Sequence, residues 1–149
     1  MFALNLPQYE IKLSGDASHP RIFDSLRRRY VRLTPEEWVR QHFVHYLTDH
    51  LGYPSALLAN EVNLRCGDKQ LRADSVLYRR DMQAQMIIEY KAPDVELNEN
   101  VVNQALSYNT LLHVDYIIVS NGLRHFCFKI DYQNGKYDLL QDIPAYSEL

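Results

Sequence analysis

Three charged residues stand where the sequence otherwise reads as buried strand. Leu71-Arg-Ala-Asp-Ser-Val-Leu-Tyr78 and Met86-Ile-Ile-Glu-Tyr-Lys-Ala-Pro93 are short, rich in Val, Ile, Leu and Tyr, and bounded by polar residues or proline, as central strands are. Asp74, Glu89 and Lys91 fall inside them, although an ionised group in a buried strand carries a heavy desolvation cost. Polar residues 79 to 84 read as a turn, so the segments form an antiparallel hairpin. A hairpin symmetric about Asp81 and Met82 pairs Tyr78 with Gln85, Val76 with Ile87, Asp74 with Glu89 and Arg72 with Lys91. Asp74 and Glu89 then face each other, and the period of two puts Lys91 on the face of Glu89. Opposed carboxylates repel. A divalent cation between them, Mg²⁺ or Mn²⁺, removes the repulsion, because such ions take carboxylate oxygens together with water and phosphate. The chemistry this supports is metal-assisted phosphodiester hydrolysis, with Lys91 placed to hold the attacking water or the charge building on the phosphate. The alternative is a structural ion-pair cluster of Asp74, Glu89, Arg72 and Lys91.

Asp74 followed by Glu89-Tyr90-Lys91 resembles the PD-(D/E)xK nuclease core. From about Ile22 to Ile130 the chain resembles the N-terminal nuclease domain of type I restriction enzyme R subunits, in its stand-alone bacterial form. The resemblance implies an α/β fold with a mixed central sheet flanked by helices, and Mg²⁺-dependent cleavage of DNA. Asp74 and Glu89 become metal ligands, the main-chain carbonyl of Tyr90 a further one, and Lys91 the residue that positions water. The family's proline before the Asp is Ala73 here, at a position that is not a ligand. Related nucleases carry a Glu on the preceding helix, followed three and four residues on by Val and Arg, as Glu36, Val39 and Arg40 stand here. They also carry a Gln-x-x-x-Tyr pair after the catalytic strand, here Gln104 and Tyr108. R subunits contain an ATP-driven motor as well. No Walker-type Gly-rich loop is present in these residues, so a separate motor or specificity protein is the expected partner that delivers DNA. The rival class is a DNA- or protein-binding module that keeps the nuclease fold without turnover.

The elements that must position these residues are legible in outline. At 149 residues, 46% of them hydrophobic and with no repeat or linker, the chain reads as one domain. Residues 1–20 form an N-terminal extension, 21–130 the core, and 131–149 an edge strand and tail. Nothing approaches a membrane span or a signal peptide, which points to the cytoplasm, where Cys66 and Cys127 stay thiols. A net charge of −3 argues against tight unspecific DNA binding. Leu4 to Leu13 alternates loosely, as an edge strand does, and Ser14 to Pro20 is loop chemistry. Arg21 to Phe23 and Tyr30 to Leu33 read as a small hairpin, with Arg27, Arg28, Arg29 and Arg32 the one dense basic run. That run is either a solvated turn or a contact to phosphates.

Thr34-Pro-Glu-Glu37 starts a helix, with Thr34 as N-cap and Glu37 completing a capping box, and Gly52 ends it. On that helix Val39, Phe43, Tyr46, Leu47 and His50 share a sector that includes Glu36, so Glu36 is expected to point toward the site. The first-turn dipole accounts for it equally well. His42, His45 and His50 lack a completing ligand and read as ordinary helix residues. Leu58 to Leu64 precedes the central hairpin as a third strand of a meander. Asn98 caps a helix to about His113, with Val101, Ala105, Tyr108 and Leu112 as its apolar stripe. Asp115 to Ser120 is then parallel to the Glu89 strand, since a helix joins the two. Asn121-Gly122 and Asn134-Gly135 turn into two further strands, 124–130 and 136–140. A homodimer would suit double-strand cutting.

Overall fold

The computed structural model describes residues 2–107 and 112–149. Its first part is a three-stranded antiparallel sheet of β1 (Leu13–Gly15), β2 (Pro20–Asp24) and β3 (Arg29–Arg32). The expected edge strand over Leu4 to Leu13 is absent except for its last residue, and part of the expected loop, Ser14, Gly15 and Pro20, is strand instead. Gly15 permits this: its φ is +79°, and a Cβ there would meet the carbonyl of His19 at 2.1 Å.

Thr34 caps α1 (Pro35–His45), its hydroxyl accepting from the Glu37 amide at 3.1 Å. A π-helical turn over Tyr46–His50 follows before Gly52 ends the run with φ +76°. That turn changes the helical phase, so Leu47 stays buried while Tyr46 is half-buried and His50 is exposed.

The main sheet has six strands in chain order: β4 (Leu58–Cys66), β5 (Lys69–Tyr78), β6 (Ala84–Tyr90), β7 (Tyr116–Ser120), β8 (His125–Asp131) and β9 (Lys136–Leu140). Every neighbouring pair is antiparallel except β6 and β7, which run parallel across the crossover that carries α2 (Glu99–Leu106). Asn98 caps α2, accepting from the Val101 amide at 3.0 Å. Alternation along the central strands feeds two cores. Met86, Ile88, Tyr116 and Ile118 pack with Val39 and Phe43 of α1 and Leu47 of the π-helical turn; Ile87, Ile117 and Val119 pack with Ala105 and Leu106 of α2. The helices therefore lie on opposite faces, and the central strands are apolar on both sides. This is an α/β mixed sheet flanked by helices, as the sequence implies.

The β5–β6 register agrees with a hairpin symmetric about Asp81 and Met82 for Val76↔Ile87, and Leu77↔Met86 and Ser75↔Ile88 follow the same register. Tyr78 departs from it, pairing with Ala84 rather than Gln85, because a bulge after Leu77 leaves Gln85 as the extra residue. The turn explains the shift. Arg79 N–H bonds the Gln83 carbonyl at 2.8 Å and Met82 takes φ +70°, so the loop closes one residue short of symmetry. Arg72 and Lys91 do not pair. The β5–β6 ladder ends at Ser75↔Ile88 and β6 itself at Tyr90, so Lys91 lies beyond the strand, where its amide bonds the Ser120 carbonyl at 2.9 Å, while Arg72 pairs with Asn63 of β4.

Candidate active site

Three carboxylates stand in one row across adjacent strands. The rungs Asn60↔Ser75 and Val62↔Ala73 bracket Glu61 and Asp74, and the step beyond Ser75↔Ile88 sets Asp74 opposite Glu89. Glu89 in turn adjoins Val119 of β7, where the row becomes apolar. All three acids line a cleft of about 400 Å³ whose rim includes Glu36, Arg32 and Arg72. Glu61 occupies its place with φ +56°, an unusual conformation for a side chain of this kind, and the ladder skips that rung.

Asp74 is tied down from both ends. Its Oδ2 accepts from the Tyr90 amide at 2.8 Å, and its main-chain carbonyl accepts from Arg40 Nη1 at 3.0 Å. Burial pushes its carboxyl upward, against the Tyr90 N–H and the Arg40 charge. Glu89 is pushed further, to about 7, first by burial and then by the Asp74 charge, with Lys91 opposing. Glu89 Oε2 is buried and has no hydrogen-bond partner among the described residues. A buried orphan oxygen beside a second desolvated carboxylate is the situation a divalent cation relieves, so this pair fits one. Among the described residues no group of three His, Cys, Asp or Glu side chains is placed to hold an ion. The side chains' share of such a site would be two carboxylates, leaving the other positions to main chain, water and phosphate, as Mg²⁺ favours.

Behind the row runs a buried polar network. Tyr90 OH donates to Ser75 Oγ at 2.9 Å, Ser75 to Asn60 Oδ1 at 2.6 Å, and Asn60 Nδ2 to Asp24 Oδ2 at 2.9 Å. Arg27 joins Asp24 to Glu37, its Nη2 reaching Glu37 Oε1 at 2.9 Å. Glu37 also takes both prongs of Arg40, at 2.8 and 2.6 Å, and Gln41 Nε2 at 2.9 Å; Arg40 reaches on to Glu61 at 2.8 Å. Every charge in the network meets an opposite one, which is what lets it be buried.

This geometry reverses the expected roles of the two glutamates. Glu37, expected to be accounted for by the cap, is 6% exposed and turned inward; Glu36, expected to point toward the site, is exposed at the cleft rim. The inward stripe is Glu37, Arg40, Gln41 and Val44, a helical i, i+3, i+4, i+7 set whose polar members make no apolar pattern. Arg27 likewise departs from its three neighbours. Arg28, Arg29 and Arg32 are exposed, whereas Arg27 is held between Asp24 and Glu37.

Lys91 and Gln104 lie together with Glu89, Val101 and Ala105 around a smaller hollow of about 190 Å³ on the α2 side. Lys91 makes no ion pair among the described residues. Tyr108 lies outside the described residues, as do residues 109–111 of the helix expected to run to about His113. Glu61, Glu37 and Asn60 were not visible as site residues in the sequence. Glu61 had a signal: a turn centred on Gly67 and Asp68 pairs it with Asp74.

Residues 35–144 match the family model described as type I restriction enzyme R protein N terminus. Among solved structures, the chain is similar to a fragment assigned to the HsdR subunit of a type I restriction enzyme from Vibrio vulnificus YJ016. The two share 22% identity at a TM-score of 0.55, over 78% of this chain and 24% of that one. The likeness to that fragment is one of fold. The chain thus spans about a quarter of the length of that structure. No curated protein sequence matches it. Among the described residues no helix is long and apolar enough to cross a membrane.

Proposed function

The chain belongs to the family of type I restriction enzyme R protein N termini, and from that premise we propose that it is a metal-dependent nuclease domain of PD-(D/E)xK type that hydrolyses DNA phosphodiesters. The observation that carries this reading is the buried, unpartnered Glu89 Oε2 beside Asp74. Asp74 and Glu89 would hold Mg²⁺ or Mn²⁺, with the Tyr90 carbonyl as a further ligand. The ion would lower the pKa of a bound water and offset charge on the phosphate. Asp74 is kept from turning by the Tyr90 amide, and Arg40 fixes the strand at the same residue. Lys91, one alternation beyond Glu89 and without an ion pair among the described residues, orients the attacking water through its ammonium. Gln104 beside it supports the substrate from the α2 side, and Tyr108 is proposed to act with it. Glu36 and the exposed Arg28, Arg29 and Arg32 border the path of the DNA. Such a domain would work in the cytoplasm, with other restriction-modification subunits as partners.

Calorimetric titration of Mn²⁺ into wild type and Asp74→Asn, followed by incubation of both with plasmid DNA, tests the reading. Metal binding and nicking by wild type that are lost together in the variant are expected. A wild type that takes up no Mn²⁺, even with DNA present, would rule out the nuclease and leave a binding module of the same fold.

A further inference from the structure

A second hollow, of about 530 Å³, opens beside the acidic cleft and shares Arg32 with it; its other walls are Ser18, His19, Pro20 and Arg21. The two arginines occupy one rung of the β2–β3 pair, Arg21↔Arg32. Like charges set directly across two strands are destabilising. Their surroundings do not cancel them. Arg27, Arg40 and Arg72, which line the cleft with Arg32, are each bonded to a carboxylate. Arg32 forms no ion pair among the described residues. Arg21 donates Nη2 to the Tyr30 carbonyl at 3.0 Å, which orients its guanidinium without neutralising it. The nearby Asp16 is occupied with Ser18 and His19: its Oδ1 accepts both amides, at 2.9 and 2.8 Å, and lies 3.7 Å from the His19 ring. A repulsive pair of planar cations at the edge of a cleft, with its charge uncompensated, is a site that an oxyanion completes.

We infer that this hollow is a phosphate subsite for DNA, in which Arg21 and Arg32 take a phosphodiester adjoining the one drawn into the acidic cleft. Guanidinium forks match paired phosphate oxygens, and two of them across one rung present donors to a single group. Arg32, facing both spaces, sets the register of the strand relative to Asp74 and Glu89. The inference rests on the nuclease reading for the identity of the strand, and binding measured without metal separates the two.

The experiment is a fluorescence-anisotropy titration of a short labelled DNA duplex in chelator over a series of salt concentrations. Wild type, Arg32→Ala and Arg21→Lys are compared with Arg80→Ala, a control on an exposed arginine of the β5–β6 turn. Arg32→Ala is expected to weaken binding about tenfold at moderate salt and to reduce the slope of log K against log salt by about one. Its melting temperature should be no lower than wild type, because the like-charge rung is gone, whereas a merely structural arginine would lower it. Arg21→Lys should keep the slope and lose affinity, and Arg80→Ala should change neither. Equal affinity and slope for Arg32→Ala, equal losses for Arg80→Ala, or a wild type that binds no duplex would each overturn the inference. Loss of duplex binding in Arg32→Ala from a wild type that takes up no Mn²⁺ would uphold the subsite while the nuclease reading fell.

Discussion

Arg40 and Asp74 meet through the backbone: the guanidinium Nη1 donates to the Asp74 main-chain carbonyl at 3.0 Å and leaves the carboxylate to the Tyr90 amide. The hydrogen bond thereby steadies the strand without occupying the carboxylate, whose pKa the Arg40 charge still pulls down against burial. Arg40 is in turn gripped by Glu37 and Glu61. Arg40→Ala strands the buried Glu37 with one cation fewer and should destabilise the fold by about 3–5 kcal/mol. Arg40→Lys, which has no fork, should recover only part of that. Urea midpoints of the three proteins check both.

Acid acts on the same network. Asp24 and Glu37 are held below their ordinary values of 3.8 and 4.5. Burial alone would raise each. Hydrogen bonds to Asp24 from the Arg27 main chain and the side chains of Asn60 and Arg27, and the Arg40 fork on Glu37, outweigh it. The unfolded chain therefore takes up these protons first, so the stability they contribute is present above about pH 4.5 and is lost as pH falls further. Glu89 runs the opposite way. Its folded value of about 7 lies above 4.5, so ionising it costs stability as pH rises through that interval. Glu89→Gln in chelator should exceed wild type by roughly 1–3 kcal/mol at about pH 8 and match it near pH 4. Denaturation curves across pH show whether wild type peaks between the two windows.

Glu61 offers a separation of backbone from side chain. Its φ of +56° penalises any residue with a Cβ, whereas its carboxylate pairs with Arg40 and Arg72. Glu61→Gly and Glu61→Ala both delete those pairs, but only Gly accepts the conformation freely. The Gly variant should be the more stable of the two by about 1 kcal/mol. Equal thermal midpoints would mean that the strand relaxes away from the left-handed region.

Lys91 has no ion pair to lose among the described residues. Lys91→Met should leave the melting temperature and Mn²⁺ affinity near wild type while plasmid nicking falls at least about 100-fold. A variant that nicks at the wild-type rate would remove Lys91 from the chemistry.

Much of this arrangement was legible because short-range rules govern it. Thr34 and Asn98 cap their helices, and the helix between Glu89 and Asp115 requires a parallel pair. Symmetry about Asp81 and Met82 carries Asp74 to Glu89, although it is the bulge after Leu77, and not the turn alone, that delivers this register. What escaped was polar burial. Glu37 and Arg40 lie on an inward helix stripe, but hydrophobic periodicity weighs only apolar residues, and it selected Glu36. Arg27 reads as one of a basic run until Asp24 and Glu37 appear beside it in space. The positive φ of Glu61 has no local mark, since the position is neither Gly nor Asn.

The single parallel pair also orders the chain's assembly in time. Strands β4 to β6 are joined by tight turns, so their contacts close small loops, whereas β7 reaches β6 only after the α2 crossover. The meander should form early and bring Asp74 to Glu89 while the β6 edge is still open. The amide of Lys91 then waits for Ser120. Substitutions at Val76 and Ile87 should accordingly slow refolding, and those at Ile117 should chiefly speed unfolding; stopped-flow chevrons with the reverse pattern would place nucleation at the crossover.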